Sequence, residues 1–337
     1  MASNVPGVGL DHFGVTMIQT SPRRVVTGYA RSERKSGTRW PPAQDDRRIN
    51  LRAMGSPFDG TTGHETGICR MMPLIIAQGA ALSVAMAAAW EFQRRVGNAG
   101  WVDVFWTFAT GGAAVAGALL PFPGVEGFPA RQFVVAALAG LWAVRLGLHL
   151  RVRVRSRPED ARYAGFRKDW GSRFQTRLFG LLMIQAAAAW PLAVAVMLAA
   201  RNPAAGWRWT DIAAMLVISA SLLGEALADG QLARFVADSG NVGRVCDRGL
   251  WAWSRHPNYF FEFLGWCAWP LFAFNAGWPP GWLALVAPIT MYWLLVHVSG
   301  IPPLERVMLA SRGDAYRAYQ RRTSAFLPLP PRREARA

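Results

Sequence analysis

The 337-residue chain is poor in charge and lacks the patterns that mark soluble catalytic domains. Charged residues make up 17% of it, against about 25% in an ordinary soluble domain. Its three cysteines, Cys69, Cys246 and Cys267, are odd in number and show no CxxC spacing, which gives neither a disulfide framework nor a zinc site. The five histidines are scattered, with no HxxxH or HExxH pair, so no metal is expected. There is no Rossmann fingerprint, so any nucleotide binds in another way. No internal repeat is visible, which speaks against a transporter built from inverted halves. The long apolar runs also lack the amphipathic partners that would bury them in a soluble protein.

What is present is hydrophobicity: 52% of the residues, with 16 tryptophans. A helix crosses a bilayer in about 20 apolar residues. Seven segments meet or approach that length, at roughly 72–92, 101–120, 130–149, 178–200, 210–230, 259–276 and 281–301. The expected fold class is therefore all-α, a polytopic integral membrane helical bundle of about seven transmembrane helices. The 259–276 segment is short, and the 210–230 segment ends on Glu225 and Asp229.

The net charge of +16 would suggest nucleic-acid binding in a soluble protein. Here the arginines sit beside apolar segments, as membrane orientation requires, and no nucleic-acid partner is expected. The 93–100, 150–177 and 231–258 loops and the C-terminal tail are basic. The 121–129 and 275–280 loops hold no Lys or Arg, and 201–209 holds two. This alternation predicts an N-out, C-in topology. Residues 1–70 break it, being basic, rich in Gly, Ser and Pro, and without periodicity. They read as a disordered or non-native extension, with translation starting at Met71 or Met72. The membrane domain is then expected over 71–328, with a flexible tail at 329–337.

Ionisable residues at membrane depth are costly and usually functional. Glu225 and Asp229, four apart, share one helix face. The densest cluster is Asp247-Arg-Gly-Leu-Trp-Ala-Trp-Ser-Arg-His-Pro-Asn-Tyr259-Phe-Phe-Glu262. Gly249 permits a tight turn, and Pro257 suits the first turn of a helix. That places Arg255 and His256 just before a helix N-terminus, where anions are favoured. Asn258 and Glu262 follow on one face. His149 and His297 read as structural. Trp101, Trp207, Trp209 and Trp278 fit an interfacial belt, and Trp251, Trp253 and Trp266 are placed either to stack on a flat ligand or to pack. The 151–177 arginines face anionic lipid on this reading, with Glu159, Asp160, Arg162 and Tyr163 as a cap over the site.

Ser254-Arg-His-Pro-Asn-Tyr259 with Glu262 resembles the signature shared by steroid 5-alpha-reductases, sterol reductases and isoprenylcysteine carboxyl methyltransferases. From about 98 to 328 the chain resembles the bacterial DUF1295 branch of that superfamily. Other matching pieces are Asn98–Asp103, Arg145–His149, Glu159–Tyr163, Glu225–Asp229, Gln231, Ser299–Glu305, Arg312, Tyr316, Tyr319 and Phe326. The resemblance implies a multi-pass protein of the bacterial inner membrane that binds NADPH and reduces a C=C bond conjugated to a carbonyl in a steroid-like or other lipid. Glu262 then polarises the carbonyl with Tyr259 as helper, and Asp229, Arg255, His256, Asn258, Tyr259 and Arg312 hold the cofactor. Glu225, which stands where those reductases place a polar amide, joins them as a cofactor-binding residue. Phe261 replaces a small residue and narrows the pocket. The same superfamily allows a methyltransferase that uses S-adenosylmethionine, and a non-catalytic lipid-binding protein is the third reading. Membrane lipids and an apolar small molecule are the expected partners.

Overall fold

The computed structural model describes residues 62–121, 128–156 and 158–332. Among them the secondary structure is helical, with one isolated bridge between Ser254 and Ser324. The α-helices are α1 (Thr62–Val96), α2 (Trp101–Leu119), α3 (Pro129–Ser156), α4 (Ala161–Trp170), α5 (Phe174–Ala200), α6 (Trp209–Ala237), α7 (Leu250–Trp253), α8 (Pro257–Trp266), α9 (Ala268–Ala273), α10 (Val286–Trp293) and α11 (Ile301–Arg322). Six helical stretches are long and apolar enough to cross a membrane: Cys69–Val96, Trp101–Leu119, Pro129–Ser156, Arg162–Ala200, Trp209–Ala237 and Pro279–Arg322.

The segment expected to cross at 259–276 is not among them. It folds as α8 and α9, ten and six residues long. The break has a local cause. Pro270 has no N–H to give the carbonyl of Trp266, and its ring crowds that carbonyl, so a helix running in from α8 ends there. The extension expected at 1–70 lies outside the described residues up to 61, whereas residues 62–70 are the first turns of α1. The tail is expected to be free from 329, yet the Leu329 N–H donates to the Trp253 carbonyl at 3.0 Å and that of Arg332 to the Arg322 carbonyl at 2.8 Å. Residues beyond 332 are not described.

Helix α5 is the axis of the bundle, packed by α1, α2, α3, α9 and the 3-10 segment Pro279–Leu285, while α6 packs on α8 and α9. With little hydrophobic drive between apolar helices in lipid, close approach depends on small residues. At Gly111 a Cβ would stand 2.2 Å from the Ala143 Cβ, so α2 and α3 meet backbone to backbone. At Gly224 a Cβ would stand 2.3 Å from the Phe261 ring, so α8 seats that ring in the face of α6.

The two ends of the bundle differ in charge. One end holds the turns around 97–100, 156–173 and 238–256 together with α11, and is rich in arginine. The other holds the 201–208 loop and the 274–278 turn. There Arg131, with no side-chain exposure, donates to both oxygens of the equally buried Asp211, at 3.3 and 3.0 Å. It also donates to the carbonyls of Asn202 (3.0 Å), Ala204 (2.9 Å) and Gly206. Arg208 adds a 2.6 Å ion pair to Asp211 and bonds to the Phe272 and Phe274 carbonyls. The Asn202 amide donates to the carbonyls of Phe272 and Ala273 at 2.9 and 3.0 Å. The two arginines of the sparse loop are thus tied into carbonyls and carboxylate, with Arg201 donating to the Gly117 carbonyl.

Candidate functional site

The turn that enters α8 is built as its residues suggest. Gly249 has φ +59° and ψ −130°, a conformation open to glycine alone, and a Cβ there would collide with Gln231. Gln231 accepts from the Leu250 N–H at 2.9 Å and so caps α7. Pro257 begins α8 at its first turn, where its missing N–H costs nothing.

Downstream of this turn, α8 carries Asn258, Glu262 and Trp266 toward α3 and α6. Glu262 is buried and accepts from two indoles: Trp142 of α3 at 3.1 and 3.0 Å to its two oxygens, and Trp266 at 2.8 Å. The Trp142 and Trp266 rings meet edge to face at 5.1 Å. Glu225 of α6 is the neighbouring acid of Glu262. Arg145, one turn below Trp142 on α3, approaches Glu225 to 2.5 Å and Asp229 to 2.7 Å. The Arg145–Asp229 contact is a well-formed hydrogen bond. The Arg145 Nη1 and Glu225 Oε2 atoms lack hydrogen-bond alignment despite their closeness. Asn258 donates to the second oxygen of Asp229 at 3.3 Å.

Three carboxyl groups therefore face a single guanidinium. Burial penalises every uncompensated charge, and one arginine offsets one of three. The four expected residues Glu225, Asp229, Asn258 and Glu262 are brought together here. Arg145 and Trp142 complete the group, although the sequence reading gave neither a role. The signal for Arg145 was its position inside an apolar run, where an arginine demands a partner. Trp142 carried no such signal, because an indole inside a membrane helix is unremarkable until a carboxylate faces its N–H.

The other expected residues serve a different structure. Arg255 donates through Nε to Glu305 of α11 at 2.7 Å, and through Nη1 to the Gln320 and Thr323 carbonyls at 3.2 and 2.5 Å. Its own N–H bonds to the Ser324 carbonyl at 2.8 Å. His256 is 2% exposed, lies 3.2 Å from the same Glu305 oxygen, and stacks on Tyr259 with centroids 5.4 Å apart. Ser254 donates to the Phe326 carbonyl at 2.8 Å, and Tyr319 to the Trp251 carbonyl. Gln320 donates to the other Glu305 oxygen at 2.8 Å. The turn expected to hold anions thus binds the C-terminal helix and tail, and Glu305 is the acid at its centre. Arg312 lies away from this knot, with a buried Nε that meets no acceptor.

A cavity of about 320 Å³ opens at the arginine-rich end, lined by Asn98, Asp103, Leu150, Arg153, Glu159 and Asp160 among others. Its walls are held by ion pairs: Arg162 to Asp103 (2.6 Å) and Asp160 (3.0 Å), Arg153 to Asp160 (2.9 Å), and Arg167 to Glu159 (2.9 Å). The Tyr163 hydroxyl donates to Asp103 at 2.9 Å. Burial alone would raise the Asp160 carboxyl, but the charge and hydrogen bonds of Arg162, with Arg153 beside them, hold it below its ordinary range. Tyr259 lies within electrostatic reach of Arg162, Arg153, Asp103 and Asp160. Among the described residues no group of His, Cys, Asp and Glu is arranged to hold a metal.

Apolar helices that repeatedly traverse one bundle, with a polar cluster sealed between α3, α6 and α8, define a multi-pass helical membrane protein with a buried polar site. The chain belongs to the DUF1295 family, described as a protein of unknown function, whose pattern matches residues 89–323. That range contains every residue of the buried cluster, and Arg255, His256, Glu305 and Gln320 of the knot. No curated protein and no solved structure matches the chain.

Proposed function

We propose that this protein is a membrane-embedded reductase that uses NADPH to reduce a C=C bond conjugated to a carbonyl in a steroid-like or other apolar lipid. The observation that carries the reading is Glu262, a carboxyl buried among apolar helices, fixed by two indole N–H groups and set in a cluster with more acid than base. A carboxyl built only for packing would be matched by a cation, as Asp211 is by Arg131. The likeness of Ser254–Tyr259 and Glu262 to the steroid 5-alpha-reductase superfamily points the same way.

We infer a seven-crossing, N-out and C-in arrangement for the chain, placed in a bacterial inner membrane. Its support is the path of α8 and α9. The first begins beside Glu305 and Ser324 at the arginine-rich end, and the second finishes against Asn202 at the other. Seventeen residues from Pro257 to Ala273 reach about 25 Å as helix, close to an apolar core of about 30 Å.

The residues fit NADPH in part. Arg312, whose buried Nε lacks an acceptor, suits a phosphate, and the Asn258–Asp229 pair suits a carboxamide. Arg255 has Nε and Nη1 committed within the chain, so its role is to hold α11 in place. NADPH, when bound, supplies hydride. Glu262 donates a hydrogen bond to the substrate carbonyl and stabilises the charge that develops on its oxygen. Trp142 and Trp266 keep that carboxyl in one rotamer and exclude water around it. Tyr259, stacked on His256, stands three residues before Glu262 on α8 as its helper.

The test is thermal unfolding of detergent-purified protein titrated separately with NADPH and S-adenosylmethionine. A ligand at about 100 times its Kd stabilises by about 2.7 kcal/mol. Stabilisation by NADPH alone is expected. Stabilisation by S-adenosylmethionine alone would replace the reductase with a methyltransferase.

A further inference from the structure

Glu262 is sealed on most sides. Trp142, Trp266, Trp269 and Phe272 form buried apolar walls around its end of α8, and the Arg131–Asp211–Arg208 knot closes the far end of the bundle. Beyond the two indoles, polar groups continue from Glu262 toward α6. Trp142 and Arg145, three apart on α3, reach Glu262 and Glu225 and so set the two acids side by side; Arg145 also pairs with Asp229, and Asp229 accepts from Asn258. Side-chain exposure rises along this line, from 6% at Glu225 to 13% at Asp229. The residue after Asn258 is Tyr259, within electrostatic reach of Arg153, Asp103 and Asp160 in the wall of the 320 Å³ cavity. Glu262 and Glu225 are thus a buried pair of acids, and Asp229 is the more exposed acid one turn further along α6.

We propose that Glu225 and Asp229 are the route by which protons travel between the arginine-rich end and Glu262, with Arg145 holding the two acids one helical turn apart. The use of that proton rests on the reductase reading. In that reaction hydride adds to the β carbon while Glu262 gives its proton to the substrate oxygen, and the enol so formed returns to the ketone. The sum is one hydride and one proton added across C=C, with NADPH leaving as NADP+. Glu262 is then a carboxylate and must recover a proton. Glu225 passes its acid proton to it, and Asp229 replaces the proton on Glu225 from the hydrated end. Glu225 also stands where the resembling reductases have an amide, so the relay belongs to this chain and not to that likeness.

The experiment needs neither substrate nor cofactor. Purified protein in lipid nanodiscs is transferred to D2O and followed by infrared spectroscopy at the C=O stretch of protonated carboxyl groups. The band lost in Glu262→Gln identifies the Glu262 acid. Its shift on deuteration is expected to be slower by about a hundredfold in Glu225→Gln, the order of a positioned proton-transfer group, and also slowed in Asp229→Asn. If Glu225→Gln does not fold, Asp229→Asn alone carries the test. Exchange at the unmodified rate in the folded variants overturns the relay, as does a Glu262→Gln spectrum with no protonated-carboxyl band missing. A failed relay leaves the reductase reading standing, and a protein that ignores NADPH leaves the relay standing.

Discussion

The two buried polar knots of this bundle use the same residue types to opposite ends. At the sparse end, Arg131 and Arg208 surround one carboxylate, and the remaining donors described there reach backbone carbonyls. Between α3, α6 and α8, one guanidinium serves two acids while a third is held by indoles. The first knot is saturated, so it resists any other partner and behaves as a clasp for the 201–208 loop. The second is short of positive charge and keeps two buried atoms without hydrogen-bond alignment. Saturation marks a group whose task is holding, and imbalance marks one that remains able to exchange protons or meet a ligand.

The sharpest way to break this contrast is to cut one partner from each knot. Arg131→Ala leaves Asp211 buried with its main cation gone, and is expected to cost about 3–5 kcal/mol, read as a lowered unfolding temperature. NADPH binding per folded molecule should be unchanged. Glu262→Gln is nearly isosteric and keeps an acceptor for the indoles, so its unfolding temperature should move little. Reductase activity, once an enone lipid is found, should fall by about 10²–10⁴-fold. Equal loss of stability in both variants would erase the distinction between clasp and site.

A smaller effect separates the site from its support. Gly224→Ala drives a Cβ into the Phe261 ring and is expected to destabilise by about 1–3 kcal/mol, with Phe261→Leu restoring part of the loss in the double variant. Non-additive unfolding temperatures would confirm that α6 and α8 meet there. Smallest is the effect of acid on the ion pairs around the cavity. The Asp160 carboxyl is held below its ordinary range, so its contribution is present above pH of about 3.9, the unfolded value. It fades as pH falls through the lower folded value. Asp160→Asn should flatten that acid limb in an unfolding-temperature profile, and an unchanged limb would show that Asp160 adds nothing.

Much of the fold is legible from local pattern. The first five crossings, the basic character of one end, the glycine turn at 249 and the helix start at Pro257 each depend on a few consecutive residues. The broken crossing at 259–276 was legible in principle, since Pro270 stands in its middle. Hydropathy alone passes over it because proline at that spacing costs a hydrogen bond and not apolar character. Most of the site was also legible. Glu225, Asp229, Asn258 and Glu262 announce themselves by charge or motif at membrane depth.

What the sequence determined by itself is therefore where apolar helices run, which ends carry arginine, and which acids lie at depth. The tertiary structure decided which partners each buried polar group meets. Arg255 and His256 look like an anion site in their own turn, and both meet Glu305 of α11, some 50 residues away. Glu262 is defined by Trp142, 120 residues before it, and Arg145 by an acid 84 residues after it. Helix formation is set by hydrogen bonds four residues apart, so it is written locally. The neutralisation of a buried charge depends on which helix faces meet, and only the packed bundle settles that.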